Sequence, residues 1–208
     1  AVTTQMRKAY PAVANKKFGP VNRDSRQKLE EYLASLLSRF DFSKLENLNG
    51  IYMRETADNE TLADGCLPFL ENKLERTLNS AEKEVLKSAL GELKNRAKNL
   101  IDLAESATFL FNTRPLEIIP KAGKALNDDA KVILSKIHSN FERVDEWNKD
   151  NLQTLIENFV ESEEIGFGKV AQPLRASLTG SNVSPGISEV LEWLGKEESL
   201  ARIMDQAQ

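Results

Sequence analysis

Apolar residues recur at spacings of three and four along most of this chain, a pattern that is typical of amphipathic helices. The pattern starts after Asp24, a suitable N-cap, and predicts a first helix that runs to Phe40. A second helix is predicted from the segment FDFSKLENLNGIYMRE, opened by Asp41. The residues expected on its buried face are Phe42, Leu45, Leu48 and Tyr52.

Capping residues divide the rest of the chain into further helices. Asn79 and Glu82 have the spacing of a capping box, which predicts a helix starting at about Ser80. Asp58 or Asn59 is suited to cap the helix before it, and Asp145 or Asn148 a later one. We find no convincing pair of strands. The predicted fold is therefore all-α, a helical cage or bundle of two subdomains.

We expect three regions along this all-α chain. Residues 1–38 form a basic arm and the first helix, residues 39–115 a first helical subdomain, and residues 116–208 a second. No heptad pattern persists over several repeats, which favours bundles over a coiled coil.

The segment Gly168–Ile187 combines a helical pattern with a stop and a turn. Gly180 ends the pattern and is suited to a left-handed C-cap, and the sequence Ser184-Pro185-Gly186 predicts a tight turn. Pro173 and Arg175 lie within the helical part. Turns held by rigid helices are common places for binding groups.

Charge is spread unevenly over the chain, whose net charge is −4. Residues 1–28 carry seven Lys and Arg residues against one Asp, a net charge of +6, which leaves −10 for residues 29–208. A basic arm of this kind suits RNA, an anionic surface or an acidic protein, and a solvated tail is the alternative.

The sequence offers little for catalysis or metal binding. One cysteine, Cys66, and one histidine, His138, argue against a zinc site or an internal disulfide. Glycine-rich phosphate loops and common hydrolase motifs are missing, and the adjacent carboxylate pairs are typical of solvated helix surfaces. We expect no cofactor, no metal, no catalytic residue and no membrane span, since no apolar run approaches about 20 residues.

Four segments resemble one family in the same order along the chain. They are FDFSKLENLNGIYMRE, LPFLE, LKNRAKNLIDLAESATFLF and GKVAQPLRASLTGSNVSPGISEVLEWLGKEESLARI. Together they are similar to the C-terminal anticodon-binding region of bacterial and organellar glutamyl-tRNA synthetase, over roughly residues 39–204. The resemblance implies a helical cage that holds the anticodon stem-loop of glutamate tRNA.

The resemblance also implies which residues contact the RNA. Arg175 corresponds to an arginine at the anticodon loop, and Arg96 to one associated with the third anticodon base, which separates glutamate from glutamine tRNA. The turn that packs against the first two bases corresponds to Ser184, Pro185, Gly186 and Ile187. The alternatives are salt bridges, for Arg96 on a helix surface and for Arg175 with a carboxylate such as Glu189.

The resemblance does not extend to residues 1–38 or to the motifs of the catalytic fold. We therefore expect a module that binds glutamate tRNA without aminoacylating it. The alternative is a synthetase-derived domain recruited as a structural accessory subunit of a large organellar complex, such as an ATP synthase, a respiratory complex or a ribosome, with protein partners contacted through the arm 1–28. The expected location is the mitochondrial matrix side for a eukaryotic source and the cytoplasm for a bacterial one.

Overall fold

The computed structural model describes residues 42–207, and these residues are helical throughout apart from their connections. The helices are α1 (Phe42–Glu55), α2 (Asn59–Leu74), α3 (Ser80–Leu93), α4 (Leu100–Ala107), α5 (Pro120–Gly123), α6 (Asp128–Glu142), α7 (Lys149–Ser162), α8 (Phe167–Thr179) and α9 (Ile187–Ala207), with a 3-10 turn at Thr108–Leu110. The predicted all-α fold is confirmed. The basic arm 1–28 and the helix predicted after Asp24 lie outside the described residues.

Side-chain caps open the helices where the sequence predicts them. The Asn79 side chain accepts a hydrogen bond from the Glu82 backbone N–H, and Glu82 accepts one from Asn79 in return, so the capping box is confirmed. Asp58 caps α2, and Asn148 caps α7. Each such cap satisfies a backbone donor that the helix itself leaves unpaired.

Helices α2, α3 and α4 pack on one another around leucine side chains. Leu70, Leu90 and Leu103 are fully buried in this group. Helix α2 passes through Pro68 as a single helix, so the proline does not end it. The end of α3 in this group lies next to the segment that follows α8.

Helices α6, α7 and α8 each pack against α9. Phe141 and Trp147 meet edge to face with ring centroids 5.7 Å apart, and the Trp147 indole donates to the Leu191 carbonyl at 2.8 Å. Gly195, at φ 75°, interrupts α9 between two helical segments. The first of these segments carries Ile187 at the edge of the turn after α8.

Arg202 ties the two groups of helices together, although its side chain is only 1% exposed. Its guanidinium donates to the carbonyls of Phe109 (2.8 Å), Leu178 (2.7 Å) and Asn112 (3.2 Å). The buried apolar side chains of both groups form one continuous cluster. The division into residues 39–115 and 116–208 stays a prediction.

The predicted buried face of α1 is wrong for Leu45, Leu48 and Tyr52, and the side chain of Phe42 lies outside what the structure describes. Leu48 and Tyr52 are 62% and 53% exposed, and Leu45 is also exposed. The residues that α1 buries instead are Gly50 and Met53, and Ala57 is buried just after the helix. A Cβ on Gly50 would lie 3.7 Å from the Ala97 carbonyl, an ordinary contact distance, so this face of α1 lies against the segment that follows α3.

Candidate nucleic-acid interface

Helix α8 ends at Gly180 as predicted, in the left-handed conformation with φ 71°. Its N–H donates to the Ala176 carbonyl at 2.9 Å, and its own carbonyl accepts from the Ile119 N–H at 3.0 Å. The Glu117 carbonyl lies too close for any Cβ at this position. Glycine therefore serves two purposes here, a positive φ and a close backbone approach, and together they fix where the chain leaves α8.

The turn that follows is held by its own hydroxyl groups. The Thr179 hydroxyl accepts from the Ser181 N–H at 3.2 Å, and the Ser181 hydroxyl accepts from the Val183 N–H at 3.2 Å. The Ser184 hydroxyl donates to the Pro185 carbonyl at 2.9 Å. We name residues 181–187 the α8–α9 turn. Its internal hydrogen bonds fix its backbone without help from a ligand.

Two arginines converge on Ser184 of this turn. Arg175 Nε, from α8, donates to Ser184 Oγ at 2.9 Å. Arg96 Nη1, from the segment after α3, donates to the Ser184 carbonyl at 3.1 Å across 88 residues of sequence. The structure thus brings together three of the residues that the resemblance selects, and the turn supplies the other three.

Neither arginine has a carboxylate partner within the described part of the chain. Arg175 is half-buried, and burial lowers the pKa of its guanidinium, which the charge of Arg96 lowers further. Both groups stay protonated, because an arginine does not lose its proton in a protein. Two cations therefore meet at a neutral serine, an arrangement that an anionic ligand would stabilise.

The alternative pairing of Arg175 with Glu189 is absent. Glu189 instead pairs with Lys149 at 2.7 Å, while Arg175 donates to Ser184. Burial raises the pKa of Glu189, but the hydrogen bond from Lys149, two further hydrogen bonds and the Lys149 charge bring it below its usual value. The carboxylate is thus held ionised and away from Arg175.

Glu189 also explains the glycine in the turn. Its carboxylate occupies the space that a Cβ on Gly186 would need. Gly186 is itself exposed, whereas Ile187 is only 5% exposed and packs into the core. Of the predicted site residues, Ile187 therefore anchors the turn more than it offers surface to a ligand.

A cleft of about 410 Å³ opens beside the turn. Its lining mixes apolar and polar side chains and comprises Glu92, Leu93, Asn95, Arg96, Ser106, Phe109, Val183, Ser184, Pro185 and Gly186. Phe109, Val183 and Pro185 contribute apolar surface to the cleft, and Arg96 contributes hydrogen-bond donors. Such a combination suits an unstacked base, which needs a stacking surface and polar groups at its edge.

Two residues of this site, Phe109 and Lys149, were not predicted from the sequence. Phe109 follows an apolar pattern typical of a core helix, and nothing in the sequence separates it from its neighbours. Lys149 and Glu189 belong to different helices, 40 residues apart, so no local spacing connects them. Only the folded chain reveals their role beside the turn.

Other chemistry is not evident in residues 42–207. The structure shows no group of three or more potential metal-binding side chains among these residues. None of their helices is both long and apolar enough to span a bilayer. The interface described above is therefore the feature to compare with known proteins.

Residues 61–207 match the family model described as the anticodon binding domain. This chain belongs to that family. The match contains both arginines, the α8–α9 turn and every residue of the cleft. It confirms the resemblance to the anticodon-binding region.

Glutamate–tRNA ligases are similar to this chain over the same region. Glutamate–tRNA ligase 2 of Rhizorhabdus wittichii is 48% identical over 169 residues, which are 81% of this chain and 35% of that protein. The glutamate–tRNA ligase of Bradyrhizobium diazoefficiens is 44% identical over 176 residues, 82% of this chain and 37% of that protein. The chain thus spans little more than a third of the length of these relatives.

A solved structure shares the fold. The crystal structure of a glutamate tRNA ligase from Elizabethkingia meningosepticum, in complex with its amino acid, superposes with a TM-score of 0.68 at 26% identity. It covers 81% of this chain and 32% of that one. The helical arrangement described above is therefore that of the anticodon-binding region of such ligases.

Proposed function

We propose that this chain binds the anticodon loop of a tRNA, and that glutamate tRNA is its ligand. The observation that carries the proposal is the meeting of Arg96 and Arg175 at Ser184 without a carboxylate partner in the described residues. Family membership and the identity to glutamate–tRNA ligases support the same ligand.

The chemistry of the cleft fits a single-stranded loop better than a duplex. Loop bases are splayed out and are read by stacking and by hydrogen bonds along their edges. Arginine serves both purposes, because its guanidinium is planar and carries several donors. Arg96 keeps its Nε and Nη2 donors for a base edge, since only Nη1 is engaged by the Ser184 carbonyl.

Binding of a labelled anticodon stem-loop, followed by fluorescence anisotropy, tests this function. We expect saturable binding of the glutamate stem-loop that weakens as salt rises, because neutralised phosphates release counterions. Arg96→Ala and Arg175→Ala should each weaken binding roughly five- to a hundredfold. Arg96→Ala should also reduce the preference for the glutamate over the glutamine stem-loop.

Arg143→Ala is a matched control for these variants. Arg143 is exposed and lines a different cleft, between α6 and α7. The variant should bind nearly as well as the wild type. Equal losses in all three variants would indicate nonspecific attraction to positive charge, and absence of saturable binding at low salt would refute the proposed function.

Recruitment into a larger assembly stays a prediction that no described contact favours. A stable protein complex free of tRNA, recovered from the native source, would support it. The mitochondrial or cytoplasmic location is likewise a prediction. We expect no aminoacylation from these 208 residues alone, because the catalytic motifs of the resembled family are not found in them.

A further inference from the structure

We propose that Ser184 is a positioning residue, whose hydroxyl orients Arg175 and does not itself contact RNA. The inference deepens the proposed function and rests on it, because it concerns how the same interface presents its cations. It also revises the role that the resemblance implies for Ser184, that of a residue packed against anticodon bases.

The hydrogen-bonding capacity of this hydroxyl is largely used within the protein. A serine hydroxyl has one proton to donate, and Ser184 donates it to the Pro185 carbonyl at 2.9 Å. The oxygen accepts the Nε–H of Arg175, also at 2.9 Å. With the residue only 8% exposed, a base edge has little access to the remaining lone pair.

The same contact determines which donors Arg175 presents. Nε is engaged, so the four N–H groups on Nη1 and Nη2 carry the remaining capacity. The Arg175 guanidinium makes no other hydrogen bond or ion pair in the part of the chain that the structure describes. Because a guanidinium is planar and rigid, a fixed Nε–H restricts the orientations that the four other donors can take.

Ser184 orients the second arginine through its backbone. Its carbonyl accepts from Arg96 Nη1 at 3.1 Å, so one residue holds both cations despite their mutual repulsion. Substitution of the side chain leaves this carbonyl in place. Of the two cations, the hydroxyl therefore orients Arg175 alone, while its bond to the Pro185 carbonyl belongs to the turn.

A double-mutant cycle tests the inference. Ser184→Ala should weaken binding of the glutamate anticodon stem-loop roughly two- to twelvefold, the range expected for one net hydrogen bond. In an Arg175→Ala background the same substitution should have almost no further effect. An equal loss in both backgrounds would show that Ser184 contacts the RNA independently, and would overturn the inference.

Ser181→Ala is the matched control within the turn. The Ser181 hydroxyl accepts from the Val183 N–H and makes no hydrogen bond with either arginine, so its removal perturbs the turn alone. Its effect should be the same with and without Arg175. If Ser184→Ala behaves in this additive way too, the hydroxyl merely stabilises the turn and the inference is wrong.

A measurement without RNA keeps the inference separate from the proposed function. In the free protein, the NMR signal of the Arg175 Nε–H should exchange slowly with water, and Ser184→Ala should accelerate that exchange, while Ser181→Ala should change it little. An unchanged rate in Ser184→Ala would overturn the positioning role even if RNA binds. Accelerated exchange together with no RNA binding would support the positioning contact and refute the proposed function.

Discussion

Replacement of the buried Arg202 by methionine should destabilise the fold far more than an arginine substitution usually does. Methionine keeps the unbranched apolar stem but removes every donor of the guanidinium. The carbonyls of Phe109 and Leu178 then lose their partner in places where water has little access, and the carbonyl of the exposed Asn112 loses one near the surface. Because these acceptors belong to the backbone, no second substitution can remove them.

The magnitude follows mainly from the buried carbonyls of Phe109 and Leu178. An unsatisfied buried acceptor costs about 1–3 kcal/mol. The variant also removes the cost of burying the guanidinium, a burial that lowers the pKa of Arg202 in the folded protein. We expect the free energy of unfolding to fall by about 2–4 kcal/mol, the cost of two unsatisfied carbonyls less this relief.

Arg114→Met provides the matched control. Arg202 Nε also donates to the Glu198 carboxylate at 2.6 Å. Arg114 reaches the same carboxylate at 3.5 Å, and also Asp205, but its side chain is 41% exposed. An exposed pair of this kind contributes less than about 1 kcal/mol. Urea unfolding followed by circular dichroism measures both variants. A loss below about 1 kcal/mol for Arg202→Met, or equal losses in the two variants, would refute this reasoning.

Three further predictions concern local features. Gly186→Ala should destabilise the protein by about 1–2 kcal/mol in urea unfolding, since the new Cβ displaces the Glu189 carboxylate. The double variant with Glu189→Ala should then lose less stability than the sum of the two single variants. Full additivity would contradict this explanation. Burial raises the pKa of Cys66 to about 11 from an unfolded value of 9.0, so the stability that the protonated thiol contributes is complete below pH 9 and is lost as pH rises towards 11. The free energy of unfolding of Cys66→Ala should therefore fall less steeply between pH 9 and pH 11 than that of the wild type. Identical slopes of this free energy against pH would contradict the shift. Asn79→Ala should lower stability by about 1 kcal/mol through loss of the capping box, and Asn95→Ala, outside any cap, should have a smaller effect in the same assay.

Local signals in the sequence were sufficient for the elements themselves. The capping box at Asn79 and the left-handed Gly180 depend on neighbouring residues only, and both are found where predicted. The buried face of α1 was not predictable in this way. The buried face depends on which part of the chain the helix meets. Gly50 faces the Ala97 carbonyl, which is distant in sequence, whereas Leu48 and Tyr52 stay exposed.

The site residues show the same limit. The resemblance selects Arg96, Arg175 and the turn, but it carries no geometry. The contact between Arg96 and Ser184 joins positions 88 residues apart, and no periodicity reports a pair of that separation. The alternative for Arg175 was a salt bridge with a carboxylate such as Glu189. That pair does not form, because Lys149, on another helix, holds the carboxylate.

The most direct test of the central claim is an NMR titration of the chain with the glutamate anticodon stem-loop. If the chain binds the anticodon loop, we expect saturable shifts of the Arg96 and Arg175 side-chain signals and of the backbone amides of the α8–α9 turn, with little change around Arg143. Shifts that centre on the cleft at Arg143, or no saturable shift at either place, would contradict it.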